Sequence, residues 1–215
     1  MRIVIAGGHG QIARQLGRLM SAAGHEPVGL IRSPEQVPDL DEAGISPVLL
    51  DLESTDLAEM TEAVRGADAV VFAAGGGADG NAARKETVDK GAAVLLAAAA
   101  EAAGVRRYVM VSAMGTESAD PESGDVFQVY LRAKQSADDD LRSRDLDWTV
   151  VRPGRLTDDV PTGYVEIGER LERGSVTRGD VAHVLAEVLE AQHTIRRTFD
   201  VIGGETAIAE AVSQL

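Results

Sequence analysis

Short apolar segments alternate with longer segments of helical periodicity along the whole chain. The apolar segments show little alternation of polar and apolar residues, which predicts strands buried on both faces of a sheet. They cover residues 2–6, 27–31, 47–50, 69–73, 107–112, 148–151 and 198–202. Helical periodicity predicts helices over residues 11–23, 35–43, 57–65, 85–103, 129–144, 179–192 and 207–213. This alternation predicts an α/β fold, with a doubly wound, mostly parallel sheet that carries helices on both faces.

No internal repeat and no Pro-, Gly- or Ser-rich linker divides the chain, so residues 1–215 are expected to form a single domain. Ligands of doubly wound sheets bind in loops at the carboxyl ends of the strands. We expect the glycine-rich residues 75–84 to form a mobile loop at this edge. Residues 115–124 and 155–178 are expected to form short loops on the substrate side.

Composition narrows the functional classes. Of the 215 residues, 44% are hydrophobic and 26% are charged, which are values of a globular domain with its own core. The net charge of −14 repels phosphate backbones, so nucleic-acid binding is not expected. The absence of cysteine excludes disulfides, thiolate metal ligands and a cysteine nucleophile, and it suits a reducing compartment. The histidines show no ligand spacing, so no metal site is expected.

The apolar segments are too short to target or anchor the chain. The opening apolar run is interrupted by glycine and is shorter than the central region of a signal peptide. No stretch reaches the roughly 18 apolar residues that span a bilayer. We therefore expect a soluble, cytoplasmic protein without a membrane partner.

A glycine turn follows the first predicted strand and leads directly into the first predicted helix. Its sequence is Gly7-Gly8-His9-Gly10-Gln11-Ile12-Ala13. Glycines let the backbone approach a pyrophosphate, the helix N-terminus offers unpaired N–H groups, and a small third residue allows close helix packing. This context predicts a dinucleotide site, in which the ring of His9 either faces the pyrophosphate or is purely structural. The expected contacts are Gly7, His9, Gly10, Gln11 and Ile12.

The residues after the second predicted strand indicate which dinucleotide is bound. About 20 residues after the glycine turn, a site for NAD places Asp or Glu against the ribose hydroxyls. This chain has Arg32 followed by Ser33. Both side chains can donate hydrogen bonds to a 2′-phosphate, which a carboxylate would repel. The sequence therefore predicts NADP(H) in preference to NAD(H), with Arg14 either as a helper or as a surface residue.

Two further strand ends are expected to bracket the adenine ring. Asp51-Leu52 ends the third predicted strand and Ala73-Ala74-Gly75 ends the fourth. These positions face the crevice of a doubly wound sheet. Asp51 could equally cap the turn before the next helix, because Ser54 and Asp56 follow closely.

Three polar residues form a candidate reaction site. Tyr130 and Lys134 lie four residues apart in a predicted helix and share one face, while Ser112 ends the fifth predicted strand. An ammonium near a phenol favours the phenolate and lowers a tyrosine pKa that starts at about 10, which makes the hydroxyl a usable general acid or base. Ser112 would then hold a substrate carbonyl or hydroxyl.

These residues resemble the short-chain dehydrogenase/reductase superfamily, in its atypical NAD(P)H-binding, NmrA-like branch. The resemblance covers nearly the whole chain and rests on the glycine turn, on Ser112 and on Tyr130 with Lys134. Further matching stretches are Val88-Asp89, residues 102–109, Thr149-Val150-Val151-Arg152-Pro153-Gly154, Arg178-Gly179-Asp180-Val181-Ala182 and Val201-Ile202-Gly203-Gly204. The resemblance implies a Rossmann fold and a Lys134 that also holds the nicotinamide ribose. It further implies that Arg152, Pro153 and Gly154 lie beside the nicotinamide.

Together, these features favour an NADPH-dependent oxidoreductase that reduces a small carbonyl, quinone-like or flavin-like substrate. Tyr130 would protonate the developing alkoxide, Lys134 would tune it and Ser112 would orient the substrate. Ala113 departs from the second serine that the family often has, and no substrate subdomain is recognisable. Two alternatives therefore stay open, a non-catalytic NADP(H)-binding redox sensor of the NmrA-like type and an epimerase or isomerase.

Two other patterns have competing interpretations. The alanine-rich residues 91–104 can pack either against the sheet or against a second copy of the chain, since the superfamily often forms homodimers through the corresponding helix. Asp138-Asp139-Asp140 is expected to be a solvated helix face and not a cation site.

Overall fold

The structure, a computed structural model, describes residues 1–77 and 81–215. The strands are β1 (Arg2–Ala6), β2 (Glu26–Ile31), β3 (Ser46–Leu49), β4 (Ala69–Phe72), β5 (Arg107–Val111), β6 (Asp147–Pro153), β7 (Arg155–Thr157), β8 (Tyr164–Gly168), β9 (Ser175–Thr177), β10 (Arg197–Gly203) and β11 (Thr206–Ala207). The α-helices are α1 (Gln11–Ala22), α2 (Val37–Glu42), α3 (Leu57–Val64), α4 (Ala82–Arg84), α5 (Ala93–Ala103), α6 (Val126–Ser143), α7 (Arg178–Glu190) and α8 (Ile208–Ser213). A π-helical segment, Lys85–Ala92, joins α4 to α5.

Strand pairing confirms the predicted doubly wound sheet. The order is β11-β8-β10-β6-β5-β4-β1-β2-β3, and the strands from β10 to β3 all run parallel. Only β8 runs antiparallel to its neighbours β10 and β11 among the described strands. The first strand pairs with both β2 and β4, so the order reverses between β1 and β4. This switch point opens a crevice at the carboxyl ends of the strands.

Two apolar layers cover the faces of the sheet. Ile3 and Ile5 of β1 belong to the layer that includes residues of α1, α7 and α8. Val4 and Ala6 belong to the opposite layer, which includes residues of α3, α5 and α6. Successive side chains of a strand point to opposite faces, so both sets must be apolar. This double burial explains why the strand sequences lack alternation.

The region from residue 155 to residue 178 corrects one prediction. It was expected to form loops, but it contains β7, β8 and β9. β7 and β9 pair with each other, and β8 pairs with β10 and β11. All three are short, and their pairing partners lie outside the local sequence window. A local pattern therefore carries little signal for them. Between residues 115 and 124, only the turn Thr116–Ser118 is helical.

The helices follow the predicted order with shifted ends. Helix α6 begins at Val126, ahead of the predicted residue 129, because Asp125 caps it by accepting hydrogen bonds from the N–H groups of Phe127 and Gln128. The helix predicted over 85–103 begins earlier, at Ala82, with the short helix α4. It is π-helical over Lys85–Ala92 before it continues as α5. Residues 35–43 form a 3₁₀ turn followed by the short helix α2.

Helix α5 buries its alanine-rich face within the chain. Ala93, Leu96, Ala97 and Ala100 pack in the same layer as Val70 and Phe72 of β4. Packing against the sheet thus accounts for the apolar pattern of this segment. Part of the predicted mobile loop, residues 78–80, lies outside the described residues. No helix in the described part of the chain is long and apolar enough to cross a membrane.

Candidate functional site

A cleft of about 270 Å³ opens at the switch point between β1 and β4. This volume is near the lower end of the range for small-molecule sites. Nine of the residues predicted to bind a cofactor line the cleft, namely Gly7, His9, Gly10, Arg32, Asp51, Leu52, Ala73, Ala74 and Gly75. The lining also includes Gln36, Glu53, Gly77, Arg84 and Val88, for which the sequence had suggested no role. The tertiary structure therefore brings the two predicted halves of the cofactor site together.

The glycine turn brings β1 and β4 into close contact. Gly7 has a φ of 81°, and a Cβ atom there would lie 2.7 Å from Cα of Ala74. A Cβ atom at Gly8 would lie 2.5 Å from Cα of Gly29 in β2. Side chains at these positions would push the turn away from the neighbouring strands. The glycines are required by the packing of the turn itself, before any ligand is considered.

The N-terminus of α1 is open toward the cleft. Gly10 precedes the helix and provides no side-chain cap. Gln11 is exposed and Ile12 is buried in the core, and neither side chain lines the cleft. Gln11 and Ile12 can therefore contact a cofactor only through their backbone N–H groups, which lie in the first turn of the helix and have no partner within it.

Polar groups in the cleft fit a dinucleotide. Oε1 of Gln36 is buried and has no hydrogen-bond partner. Arg32 is exposed and forms no ion pair with any described residue. A buried amide oxygen without a partner costs free energy, which a donor on a ligand would recover. Together with the glycine turn, these groups can hold a nucleotide with a phosphate close to the end of β2.

Two predicted cofactor residues are engaged elsewhere. The hydroxyl of Ser33 donates to the carboxylate of Glu35, and Ser33 does not line the cleft. Nε2 of His9 lies 2.7 Å from Oδ2 of Asp39, and Nη1 of Arg14 donates to the same oxygen over 3.1 Å. The His9 hydrogen bond is the main cause that lowers the pKa of Asp39. His9 therefore lines the cleft while its ring is held by Asp39.

Asp51 combines the two roles that the sequence had left open. It lines the cleft, and its Oδ1 accepts a hydrogen bond from the N–H of Glu53 over 3.1 Å. The helix that follows is capped by Asp56, whose Oδ1 accepts from the N–H of Glu59. Asp51 thus shapes the local turn, while a different residue caps the helix.

Lys134 is held by three acceptors. Its Nζ lies 3.0 Å from the carbonyl oxygen of Val111, 3.4 Å from that of Ala74 and 3.4 Å from Oδ1 of Asp89. The other oxygen of Asp89 accepts a hydrogen bond from the N–H of Gly76 over 2.9 Å. The two carbonyl oxygens accept hydrogen bonds, whereas the Asp89 contact is an ion pair that leaves Oδ1 without a hydrogen-bond partner among the described residues. Lys134 links the carboxyl ends of β4 and β5 to the π-helical segment.

The predicted effect of Lys134 on Tyr130 is wrong in this structure. Burial raises the pKa of Tyr130, and the charges of Asp89 and Asp138 raise it further. Lys134 does not counteract this because Asp89 compensates its charge. The phenol is therefore protonated at neutral pH. A second lysine, Lys85, places its Nζ 5.7 Å from the centroid of the Tyr130 ring.

Ser112 belongs to a buried polar cluster with Asp138 and Arg152. Its Oγ donates to Oδ2 of Asp138 over 2.9 Å, and Nε of Arg152 lies 3.4 Å from the same oxygen. Asp138 is fully buried, which corrects the prediction of a solvated face, whereas the side chain of Asp139 is 59% exposed. Burial raises the pKa of Asp138, and the Ser112 hydrogen bond and the charge of Arg152 oppose this effect.

Arg152 and Pro153 are the last two residues of β6, whereas they were expected to follow this strand. Strand β6 extends beyond its predicted end because it pairs with β10, with Arg152 opposite Asp200. The guanidinium of Arg152 contacts Asp138 and Glu117 and does not line the cleft. Gly154 follows the strand, and a Cβ atom there would lie 2.4 Å from a backbone oxygen of Gly174.

Three buried residues around the site were not recognised as functional from the sequence. Asp89 lies in a stretch that supported the family resemblance, but it received no role. Asp138 lies four residues after Lys134, a spacing that places both on one helix face. Lys85 carried one signal, since lysine occurs only at positions 85, 90 and 134. In each case the partner lies on a distant segment of the chain.

Solved structures and curated relatives support a single family. The NAD(P)H-binding family matches residues 7–192. A putative NAD-dependent epimerase/dehydratase from Bacillus halodurans is 40% identical, with a TM-score of 0.93 and complete coverage of both chains. The oxidoreductase ylbE from Lactococcus lactis is 31% identical, with a TM-score of 0.87, and the match covers 100% of this chain and 96% of that one. The uncharacterized sugar epimerase YhfK of Bacillus subtilis (strain 168) is 34% identical over 216 residues, with complete coverage of both.

The names of these relatives include both oxidoreductases and epimerases. Their full-length similarity confirms the doubly wound Rossmann fold and the resemblance to the atypical NAD(P)H-binding branch. Given the family match over residues 7–192 and the cleft at the switch point, the chain belongs to the NAD(P)H-binding family.

Proposed function

We propose that this protein is an NADPH-dependent oxidoreductase that transfers hydride to a small carbonyl, quinone-like or flavin-like substrate. One observation carries the proposal. Nζ of Lys134 lies 3.4 Å from the carbonyl oxygen of Ala74, which lines the cleft. The helix that bears Tyr130 therefore contacts the wall of the dinucleotide cleft, and the reaction groups and the cofactor share one edge of the sheet.

The chain's own residues would handle the proton of this reaction. The cofactor, when bound, supplies the hydride. The phenol of Tyr130 carries its proton at neutral pH, and its hydroxyl would donate this proton to the oxygen of a carbonyl that is being reduced, although burial raises its pKa and makes it a weaker acid. The proton of Ser112 is directed to Asp138, so its Oγ offers lone pairs that can orient a substrate hydroxyl. Lys134 positions the strand ends around these groups.

A preference for NADPH is part of the proposal. Arg32 lies in the lining of the cleft at the end of β2 and forms no ion pair within 4.0 Å with a described carboxylate, although its charge lowers the pKa of Glu53 in the same cleft. A hydrogen bond to a charged group contributes about 1.5–3 kcal/mol, which corresponds to about 10- to 100-fold in affinity. Calorimetric titration should show that Arg32→Glu weakens NADPH binding by about this factor and leaves NADH binding within about threefold. Equal effects on both nucleotides would contradict the preference.

The reaction is tested with a panel of quinones, flavins and aldehydes, with NADPH consumption followed by absorbance. Any substrate found in the panel is then compared in the wild type and in Tyr130→Phe. General acid catalysis contributes about 10²- to 10⁴-fold, and we expect a loss of kcat in that range. The control is Tyr164→Phe, because Tyr164 on β8 is exposed. This variant should reduce the substrate with the kcat of the wild type. Unchanged kcat in Tyr130→Phe would exclude the proton-donating role.

A second candidate function is a non-catalytic NADP(H)-binding redox sensor. The observation in its favour is that Ser112 donates to Asp138 and that Lys134 is engaged within the chain by two carbonyl oxygens and the charge of Asp89. NADPH binding without consumption across the panel would favour the sensor, particularly if a partner bound with different affinity to the NADP⁺ and NADPH forms.

An epimerase or isomerase reaction is the third candidate, and it is favoured by the name of the Bacillus subtilis relative. It would interconvert isomers without net consumption of NADPH.

A homodimer is also proposed, and light scattering of the purified protein tests it directly. A mass of 22.6 kDa would show a monomer.

A further inference from the structure

Lys85 is a buried ammonium that the proposed reaction does not use. Lys85 is the first residue of the π-helical segment and is 6% exposed. Nζ donates a hydrogen bond to the carbonyl oxygen of Gly77 and lies 5.7 Å from the centroid of the Tyr130 ring. π-Helical segments occur frequently at functional sites.

The charge of Lys85 has no carboxylate partner in the part of the chain that the structure describes. The other buried cations near the site are compensated, since Lys134 pairs with Asp89 at 3.4 Å and Arg152 pairs with Glu117 at 3.1 Å. No carboxylate in the described ranges lies within 4.0 Å of Nζ of Lys85. A carbonyl oxygen and an aromatic face compensate only part of the cost of burying a charge. The fold therefore retains an ammonium whose burial a bound anion would stabilise.

The position of Lys85 connects the cleft with the reaction site. Gly77, its hydrogen-bond partner, lines the cleft, and so does Val88 of the same π-helical segment. On the other side, the ammonium faces the ring of Tyr130. An anion bound at Nζ would thus lie between the dinucleotide cleft and the proposed proton donor.

We propose that the Lys85 ammonium binds an anionic oxygen of a ligand in this cleft, either a phosphate oxygen or a carboxylate oxygen. The Lys85 proposal depends on the proposed function in one respect, because it takes Tyr130 to be part of the reaction site. A phosphate oxygen would come from the dinucleotide and a carboxylate oxygen from the substrate. The competing role is purely structural, in which Lys85 only ties Gly77 to the π-helical segment.

The test compares Lys85→Met, which keeps the length of the side chain without its charge, with Lys85→Arg, which keeps the charge. Lys90→Met is the matched control, because Lys90 lies in the same segment, is half exposed and pairs with Glu86 at the surface. Calorimetry measures the affinity of each protein for NADPH, inorganic pyrophosphate and oxalate. We expect Lys85→Met to weaken at least one of these by tenfold or more, while Lys85→Arg and Lys90→Met stay within about threefold of the wild type.

The affected probe identifies the source of the anion. Weaker binding of NADPH or pyrophosphate indicates a phosphate oxygen, and weaker binding of oxalate alone indicates a carboxylate. Affinities of Lys85→Met that match the wild type for all three probes overturn the proposal. If the wild type fails to bind NADPH, the proposed function is wrong, while the pyrophosphate and oxalate titrations still decide the role of Lys85.

Thermal melting separates the ligand-binding role from the structural one. If the Lys85 ammonium binds an anion, Lys85→Met should have a higher melting temperature than the wild type without ligand. The affected probe should then raise the melting temperature of Lys85→Met by less than it raises that of the wild type. A lower melting temperature with an unchanged shift shows that Lys85 serves the fold alone, and this result also overturns the proposal.

Discussion

Replacing Lys134 with Met should destabilise the protein strongly, because it leaves Asp89 as an uncompensated buried charge. Lys134 is 3% exposed and Asp89 is fully buried, so water screens neither group. Met retains a side chain of similar length, whereas it loses the ammonium, whose Nζ lies 5.1 Å from the centroid of the Phe72 ring. The change therefore removes the charge, its ion pair with Asp89 and two hydrogen bonds, with little change in side-chain volume.

The magnitude follows from the burial of the pair. Removing one partner of a buried ion pair costs about 3–5 kcal/mol. For a protein of this size, each kcal/mol lowers the melting temperature by about 2–4 °C, so Lys134→Met should melt about 6–20 °C below the wild type. In the double variant Asp89→Asn/Lys134→Met, neither charge remains, and the Asn side-chain oxygen can still accept the hydrogen bond from Gly76. The double variant should recover about 2–3 kcal/mol relative to the sum of the two single changes.

Urea denaturation of the ligand-free protein measures these free energies of unfolding. The control is Lys90→Met, because its pair with Glu86 is exposed and should contribute about 0.3–0.5 kcal/mol. A loss below about 1 kcal/mol for Lys134→Met would refute the reasoning. Additive effects of the Asp89 and Lys134 changes would refute it as well, because the two charges would then not interact.

Three further predictions concern other parts of the structure. Burial raises the pKa of Asp138 above its usual 3.8, so the folded state binds its proton more tightly than the unfolded state. The contribution of Asp138 to the free energy of unfolding should therefore fall as the pH rises from about 4 through the folded-state pKa. Urea titrations between about pH 4 and pH 7 should show that the wild type loses stability relative to Asp138→Asn. Gly8→Ala should cost about 1–3 kcal/mol, because its Cβ would lie 2.5 Å from the backbone of Gly29, whereas Gly124→Ala meets no atom within 4 Å and should stay within about 0.5 kcal/mol in the same assay. Asp125→Ala should lower the free energy of unfolding by about 1 kcal/mol through loss of the α6 cap, and an equal effect of the exposed Glu122→Ala would contradict this assignment.

The fold and the dinucleotide half of the site could be predicted because their signals are local. Strands buried on both faces require unbroken apolar runs, and the glycine turn is a continuous sequence motif between β1 and α1. The short strands β7, β8 and β9 gave no such signal, because their pairing partners lie elsewhere in the chain. Whether Arg32 holds a phosphate remains a prediction.

The reaction half of the site depended on tertiary contacts. Helical spacing correctly places Tyr130 and Lys134 in one helix, but burial raises the pKa of Tyr130, and the charges of Asp89 and Asp138 raise it further. Similarly, three consecutive aspartates in a helix look alike in the sequence, and only the docking of α6 on the sheet buries Asp138 and leaves Asp139 in solvent.

The sequence by itself determined the order of the elements, the glycine turn and the residue types at the strand ends, because these follow from local periodicity and backbone sterics. Only the tertiary structure decided which charges meet. Ion pairing and burial depend on distances between segments that are far apart in the chain. These distances raise the pKa of Tyr130 and of Asp138, and they leave Lys85 without a carboxylate partner in the described part of the chain.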